Sequence, residues 1–237
     1  MYKRKKILAV IIARKGSKGL KNKNILNLNG IPLVAYPIIA AKKSKFIDKV
    51  IVSTDSKIIK NIAKYYKVDI PFMRPKLLSG DKISSRAVVL HAINFLKKKN
   101  FFFDYVILLE PTSPLTNFKD INKAIKILVN NETFADSLVS VGKATSQHPI
   151  FQFKKSKNNI LKKLFYKKIK YLNRQELNDV YYLDGSLYIS KTKKFIKIKD
   201  FLSNGRTIGL LLPKIKWFEV DDELDFSVMK NLIKLNY

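Results

Sequence analysis

The chain has no cysteine in 237 residues, which excludes disulfides, thiolate nucleophiles and cysteine-ligated zinc and fits a reducing cytoplasm. Histidine occurs twice; His91 falls in a helical pattern and reads as a packed or surface group rather than a base. Arginine is scarce, occurring only at positions 4, 14, 74, 86, 174 and 206. No apolar run approaches the ~20 residues of a membrane span. The start resembles a signal peptide, basic then apolar, but Ile7 to Ala13 is short and meets Arg14 rather than a small-residue cleavage site. A soluble, cytoplasmic protein without a membrane partner is expected.

Acidic residues are few as well: 18 against 47 lysines and arginines, a net charge of +29. Such a charge suits nucleic acid or an anionic membrane surface. Lysine, asparagine and isoleucine abound throughout, however, and the lysines are spread rather than gathered in one stripe. Most therefore read as solvated surface, with no nucleic-acid partner. The arginines are better markers of chemistry, because a rigid two-pronged donor has no lysine equivalent.

What the chain does have is alternation. Ile7 to Ala13, Lys49 to Ser53, Tyr105 to Leu109 and Ser137 to Val141 are short, nearly continuous apolar runs, the pattern of strands covered on both faces. Helical spacing fills Pro32 to Lys43, a stretch to about Tyr66 that Asp55 could cap, Ser84 to Lys98 and Asn117 to Val129. Ser186 to Ser190 and Thr207 to Leu212 read as further strands, and Glu223 to Leu235 as a final helix. This order predicts one α/β domain over 1–237 with a mostly parallel, doubly wound sheet, whose ligands bind outside the carboxyl ends of the strands. The loops at 14 to 24, 53 to 55 and 110 to 115 should then converge on one face. Residues 145–180 break the rhythm, and Phe151, Phe153, Leu161 and Leu164 are too apolar for a solvated linker; an excursion packing on a partner subunit is expected.

After the first strand comes RKGSKGLKNKN, residues 14 to 24. Glycines that admit close approach, successive N–H groups and crowded lysines suit a phosphate. The dinucleotide and P-loop fingerprints are not matched, so the loop alone leaves open a phosphate site or an ordinary basic turn. Near the other end, FEVDDELDF gathers Glu219, Asp221, Asp222, Glu223 and Asp225 in a basic chain. In an extended segment Glu219 and Asp221 would share a face and offer two oxygen ligands to Mg2+; equally, Asp221 or Asp222 could cap the helix that follows.

Six blocks in order, IIARKGSKGLKNKN, VIVSTDS, RPKLLSGDKISS, LLEPTSPL, RQELNDVYYLDGSLYI and FEVDDELDF, resemble the acylneuraminate cytidylyltransferase family over nearly the whole chain. The resemblance implies a Rossmann-like nucleotidyltransferase fold, a homodimer using residues 145–180, and Mg2+-dependent coupling of CTP to an acidic nine-carbon sugar. It places Arg14, Gly16, Ser17, Lys18, Lys23, Asn24, Arg74 and Ser85 at the nucleotide, with Asp81 close by. Glu110, Thr112, Ser113 and Arg174 fall at the sugar, Arg174 reaching across the dimer. Glu219 and Asp221 fall at the metal, and Arg14, Lys23 and Asp221 at the chemistry. Asp184 and Gly185 occupy the turn before a strand and read as turn chemistry.

Three positions depart from the family's pattern: Glu110 stands where glutamine is usual, Glu219 where aspartate is common, and Thr116 where an arginine often follows Pro-Leu. A carboxylate at 110 would repel an acid sugar unless it met a lysine, a hydroxyl or an amine. Alternatives are the same fold acting on another acid sugar such as 3-deoxy-manno-octulosonate, a basic nucleic-acid-binding protein, and an inactive interaction protein.

Overall fold

The computed structural model describes residues 1–17, 19–145, 148–164 and 177–236. The strands are β1 (Ile7–Ile12), β2 (Asn27–Leu28), β3 (Ile31–Pro32), β4 (Lys49–Ser53), β5 (Tyr105–Leu109), β6 (Ser137–Lys143), β7 (Phe153–Lys155), β8 (Leu161–Lys163), β9 (Tyr181–Lys191) and β10 (Thr207–Leu211). The helices are α1 (Ala35–Lys43), α2 (Lys57–Tyr65), α3 (Ser85–Lys98), α4 (Phe118–Asn130), α5 (Thr192–Ile198) and α6 (Glu223–Asn236).

The central sheet runs β10-β6-β9-β5-β1-β4. β1 pairs in parallel with β4 and β5, and β10 with β6, whereas β9 lies antiparallel between β5 and β6. The continuous apolar runs follow from helices on both faces. Ile7, Ala9 and Ile11 pack with side chains of α1, α2 and α4, and Leu8 and Val10 with those of α3 and α5. Each such buried aliphatic side chain contributes roughly 1.5–3 kcal/mol. Pro37 sits in the first turn of α1, where its missing N–H has no cost. A third cluster joins Leu28, Leu33, Leu115, Val220, Met229 and Ile233, docking α6 and the segment before it against the β2–β3 hairpin. No helix among the described residues is long and apolar enough to cross a membrane.

Two local expectations change. The cap of α2 is Ser56, whose side chain accepts from the Ile59 N–H, while Asp55 turns away to accept from the Lys15 N–H at 2.7 Å. Asp184 and Gly185 do not precede a strand. They lie within β9 where its register against β6 shifts, a bulge that re-aims the strand. Within 145–180, β7 and β8 form an exposed hairpin that leaves Phe151, Phe153, Ile160 and Leu161 open to solvent.

Candidate active site

The loops after β1, β4 and β5 do converge, at the carboxyl ends of those parallel strands. The loops after β1 and β5, with the segment before α3, line a cleft of about 430 Å³; the loop after β4 lines no part of it and instead braces the lining, Asp55 holding the Lys15 N–H and Ser53 the Arg74 guanidinium. Arg14, Ser17, Lys23 and Asn24 line it from the first loop, Arg74 and Ser85 from the segment before α3 and its start, and Glu110, Thr112 and Asp221 from the far wall.

Internal bonds make the basic side rigid. Asn24 is buried and donates from Nδ2 to the Arg14 carbonyl at 3.0 Å, pinning the loop to the end of β1. The Arg14 guanidinium pairs with Asp81. Arg74, only 7% exposed, donates from Nε to Ser53 Oγ at 3.1 Å and from its terminal nitrogen to the Ser53 carbonyl, so the fork is anchored on β4. Burial lowers its pKa to about 10, with Asp55 opposing and Arg14 adding to the shift; it remains a cation at neutral pH.

Opposite stands a set of carboxylates. Lys23 Nζ donates to the Val220 carbonyl at 2.9 Å and to Asp221 Oδ1 at 3.0 Å, joining the basic loop to the acidic segment. Gly19 closes the same contact from the backbone, since a Cβ there would collide with the Asp221 carbonyl. Residues 218–220 join no strand, although Phe218 is extended; the Val220 N–H bonds instead to the Thr112 carbonyl at 2.8 Å. Glu219 lies behind the cleft and accepts from Ser113 Oγ at 3.3 Å. Burial, then the neighbouring charges of Glu110 and Asp221, push its pKa up to about 7. Burial likewise raises the Glu110 carboxyl, against the pull of the Ser85 hydroxyl, 2.8 Å away, and of Lys23. Asp222 and Asp225 cap α6 reciprocally, each side chain accepting from the other's N–H. The acids therefore separate, with Asp221 turned to the cleft and Asp222 to the helix.

Of the expected site residues, Gly16, Ser113 and Glu219 do not line the cleft itself, and Lys18 and Arg174 lie outside the described residues. Asp184 was legible only as a turn residue. It is 2% exposed, accepts from Ser140 Oγ and the Ser186 N–H, and its Oδ2 has no hydrogen-bond partner among the described residues. Burial raises its carboxyl pKa. A lone aspartate beside glycine carries no sequence signal of such burial.

A parallel-rich sheet with a basic, nucleotide-sized cleft at its carboxyl edge is the arrangement of an α/β nucleotidyltransferase. The chain belongs to the cytidylyltransferase family, whose model matches residues 8–204. It is 34% identical over 98% of its length to a CMP-N,N'-diacetyllegionaminic acid synthase of Legionella pneumophila, covering 97% of that protein. It is 32% identical to a pseudaminic acid cytidylyltransferase of Campylobacter jejuni, covering 98% of both chains. A solved CMP:2-keto-3-deoxy-manno-octonic acid synthetase complexed with CTP shares the fold, with a TM-score of 0.69 at 15% identity over 98% of this chain and 100% of that one.

Proposed function

We propose that the protein transfers the cytidylyl group of CTP to the anomeric hydroxyl of an acidic nine-carbon sugar of the nonulosonic type, releasing pyrophosphate. The observation that carries this reading is the Lys23–Asp221 contact, which brings the basic loop and the acidic segment to one cleft in a cytidylyltransferase. The sugar hydroxyl oxygen attacks the α-phosphorus, the bond from that phosphorus to the bridging oxygen breaks, and the hydroxyl proton is lost to solvent. Charge develops on phosphoryl oxygens, so positioning and electrostatic stabilisation do most of the work. Arg14, Ser17, Lys23 and Asn24, with Lys18 and Gly16 of the same loop, hold the triphosphate. Arg74 and Ser85 hold the nucleotide end. Glu110 and Thr112 face the sugar, and Ser113, expected there as well, supports that wall from behind through its bond to Glu219.

Glu219 and Asp221 suit Mg2+. No group of three or more His, Cys, Asp or Glu side chains forms a metal cage among the described residues, but Mg2+ usually takes one or two carboxylates and completes its octahedron with phosphates and water. Burial first, and then the negative charges of Glu110 and Asp221, raise the Glu219 pKa, and a divalent cation would relieve the second of these. When bound, the ion would neutralise phosphate charge. Lys23 now holds Asp221 and would exchange that contact for phosphate oxygens.

A homodimer is part of the reading. The exposed Phe151, Phe153, Ile160 and Leu161 of the 145–180 excursion supply apolar surface for a second copy, and Arg174 would reach the partner's sugar carboxylate as a bidentate clamp. The setting is the cytoplasm, where CTP is made.

The deciding experiment is pyrophosphate release from CTP or UTP, with Mg2+ or EDTA, across diacetyllegionaminic, pseudaminic, N-acetylneuraminic and 3-deoxy-manno-octulosonic acids. Turnover of one nine-carbon acid with CTP, lost with EDTA and in Asp221→Ala, is the expected result. Preference for the octulosonic acid, or no turnover by folded protein on any sugar, overturns the reading.

A further inference from the structure

The turn after β5 lines two cavities. Pro111 and Thr112 face the cleft, whereas Pro114, Leu115 and Thr116 line a second, larger cavity of about 1080 Å³ walled by α1, the start of α4 and the end of α6. Its floor is apolar, with Ile39, Leu115, Phe118 and Ile233 among the lining side chains. Lys43, Lys119, Lys216 and Lys234 also line it, and no carboxylate does. Lys216 is paired with Asp120, but Lys43, Lys119 and Lys234 make no ion pair among the described residues. Within this wall Thr116 is 7% exposed and its Oγ1 has no hydrogen-bond partner among the described residues. A buried hydroxyl left unpaired costs stability unless a partner arrives.

Apolar floor, orphan hydroxyl and unpaired cations together are the elements of a small-molecule pocket, in which a few polar groups orient an apolar body. The cavity is also tied to the cleft. Thr112 accepts from the Val220 N–H, Ser113 Oγ donates to Glu219, and Leu115, Val220 and Ile233 belong to one apolar cluster. A body seated on Leu115 and Ile233 therefore presses on the segment that carries Glu219 and Asp221.

We propose that this cavity binds a small amphipathic anion, an apolar ring or short acyl body bearing one carboxylate, sulfonate or phosphate, and that its occupancy is transmitted to the cleft through the 111–116 turn. The apolar part lies on Ile39, Leu115 and Ile233, and the anion meets Lys43 and Lys119. Binding stands independently of the reaction proposed above; the effect on turnover rests on it.

The test uses 8-anilinonaphthalene-1-sulfonate as probe, titrated by fluorescence against the full-length protein. Saturable one-site binding is expected, weakened by roughly 10-fold or more in Ile39→Trp, which fills the floor, and by several-fold in Lys43→Glu/Lys119→Glu. The second variant changes only exposed side chains, so it keeps the test decisive should the tryptophan disturb folding. Saturating probe should change pyrophosphate release from CTP in the wild type and leave Ile39→Trp unaffected. Absence of saturable binding, or wild-type affinity in both variants, overturns the site. Intact binding with unchanged turnover overturns the coupling, and absence of any turnover condemns the reaction while fluorescence still reads the site. If light scattering shows that Ile39→Trp converts a dimer to a monomer, a second copy fills the cavity and the small-molecule reading falls.

Discussion

The Glu219 carboxylate occupies the space that a side chain on Gly185 would need. Gly185 has φ +72°, and an ideal Cβ built there falls far inside van der Waals contact distance of Glu219 Oε1. The left-handed conformation alone costs a non-glycine residue about 1–2 kcal/mol, and the collision adds displacement of Glu219 away from Ser113. Gly185→Ala should therefore lower stability by at least about 1 kcal/mol and reduce kcat more than it raises KM for CTP. Urea unfolding with steady-state kinetics checks both. Unchanged kcat in a destabilised variant would show that Glu219 can move without consequence for the reaction.

Ser56 takes the cap that the sequence offered to Asp55, and Asp55 has another task. Ser56 caps α2, and loss of such a cap costs about 1 kcal/mol. Asp55 holds the Lys15 N–H at 2.7 Å and so fixes the start of the basic loop. Ser56→Ala should lower thermal stability with CTP kinetics unchanged, and Asp55→Ala should raise KM for CTP with a smaller change in stability. The reverse pattern would return the capping role to Asp55.

Asp136 gathers Lys191 at 2.9 Å, Lys194 at 3.3 Å and Arg206 at 2.8 Å at the start of β6. Hydrogen bonds from Arg206 and then Lys191 hold its carboxyl well below the usual aspartate range. A depressed folded pKa gives stabilisation that is complete above the unfolded value, about 3.9, and lost as pH falls through the folded one. Asp136→Asn should cost roughly 2 kcal/mol at neutral pH, a figure limited by the partial exposure of the three cations. The difference from wild type should narrow below about pH 4. Thermal unfolding across the acid range reads it directly, and a constant difference would assign the loss to packing.

The parallel strands were legible because burial on both faces removes polar residues from β1, β4 and β5, leaving runs that only a covered sheet explains. The converging loops followed from that reading. β9 shows where sequence stops: Ser186 to Ser190 announce a strand, but nothing local says that it enters antiparallel between β5 and β6 or that it begins at Tyr181. Strand order depends on distant partners. For the same reason Gly19 looked like an opening for a ligand, whereas the Asp221 carbonyl, far along the chain, presses on it. Glu219 and Asp221 were legible as a pair of acids, but their separation into one behind the cleft and one within it comes from Ser113, Gly185 and Lys23.

Glu110 brings the sequence departure and the site energetics together. Its carboxyl is partly buried beside Ser85, and that burial raises its pKa above the ordinary glutamate value despite Lys23 and the Ser85 hydroxyl. In the unfolded chain the proton leaves near pH 4.3; above that pH the folded state bears a penalty that grows until its own, higher pKa is passed. The contribution is thus most favourable below the unfolded pKa and is lost as pH rises. Glutamine at this position keeps a carbonyl to accept from Ser85 and never ionises. Glu110→Gln should therefore unfold at a higher temperature than wild type at neutral pH, with the advantage disappearing below about pH 4. The same substitution should raise the relative kcat/KM for sugars that present a hydroxyl rather than an amine at this wall. If the variant proves less stable at neutral pH, the attraction between Glu110 and Lys23 outweighs burial, and the carboxylate is held ionised as part of the charge balance around Asp221.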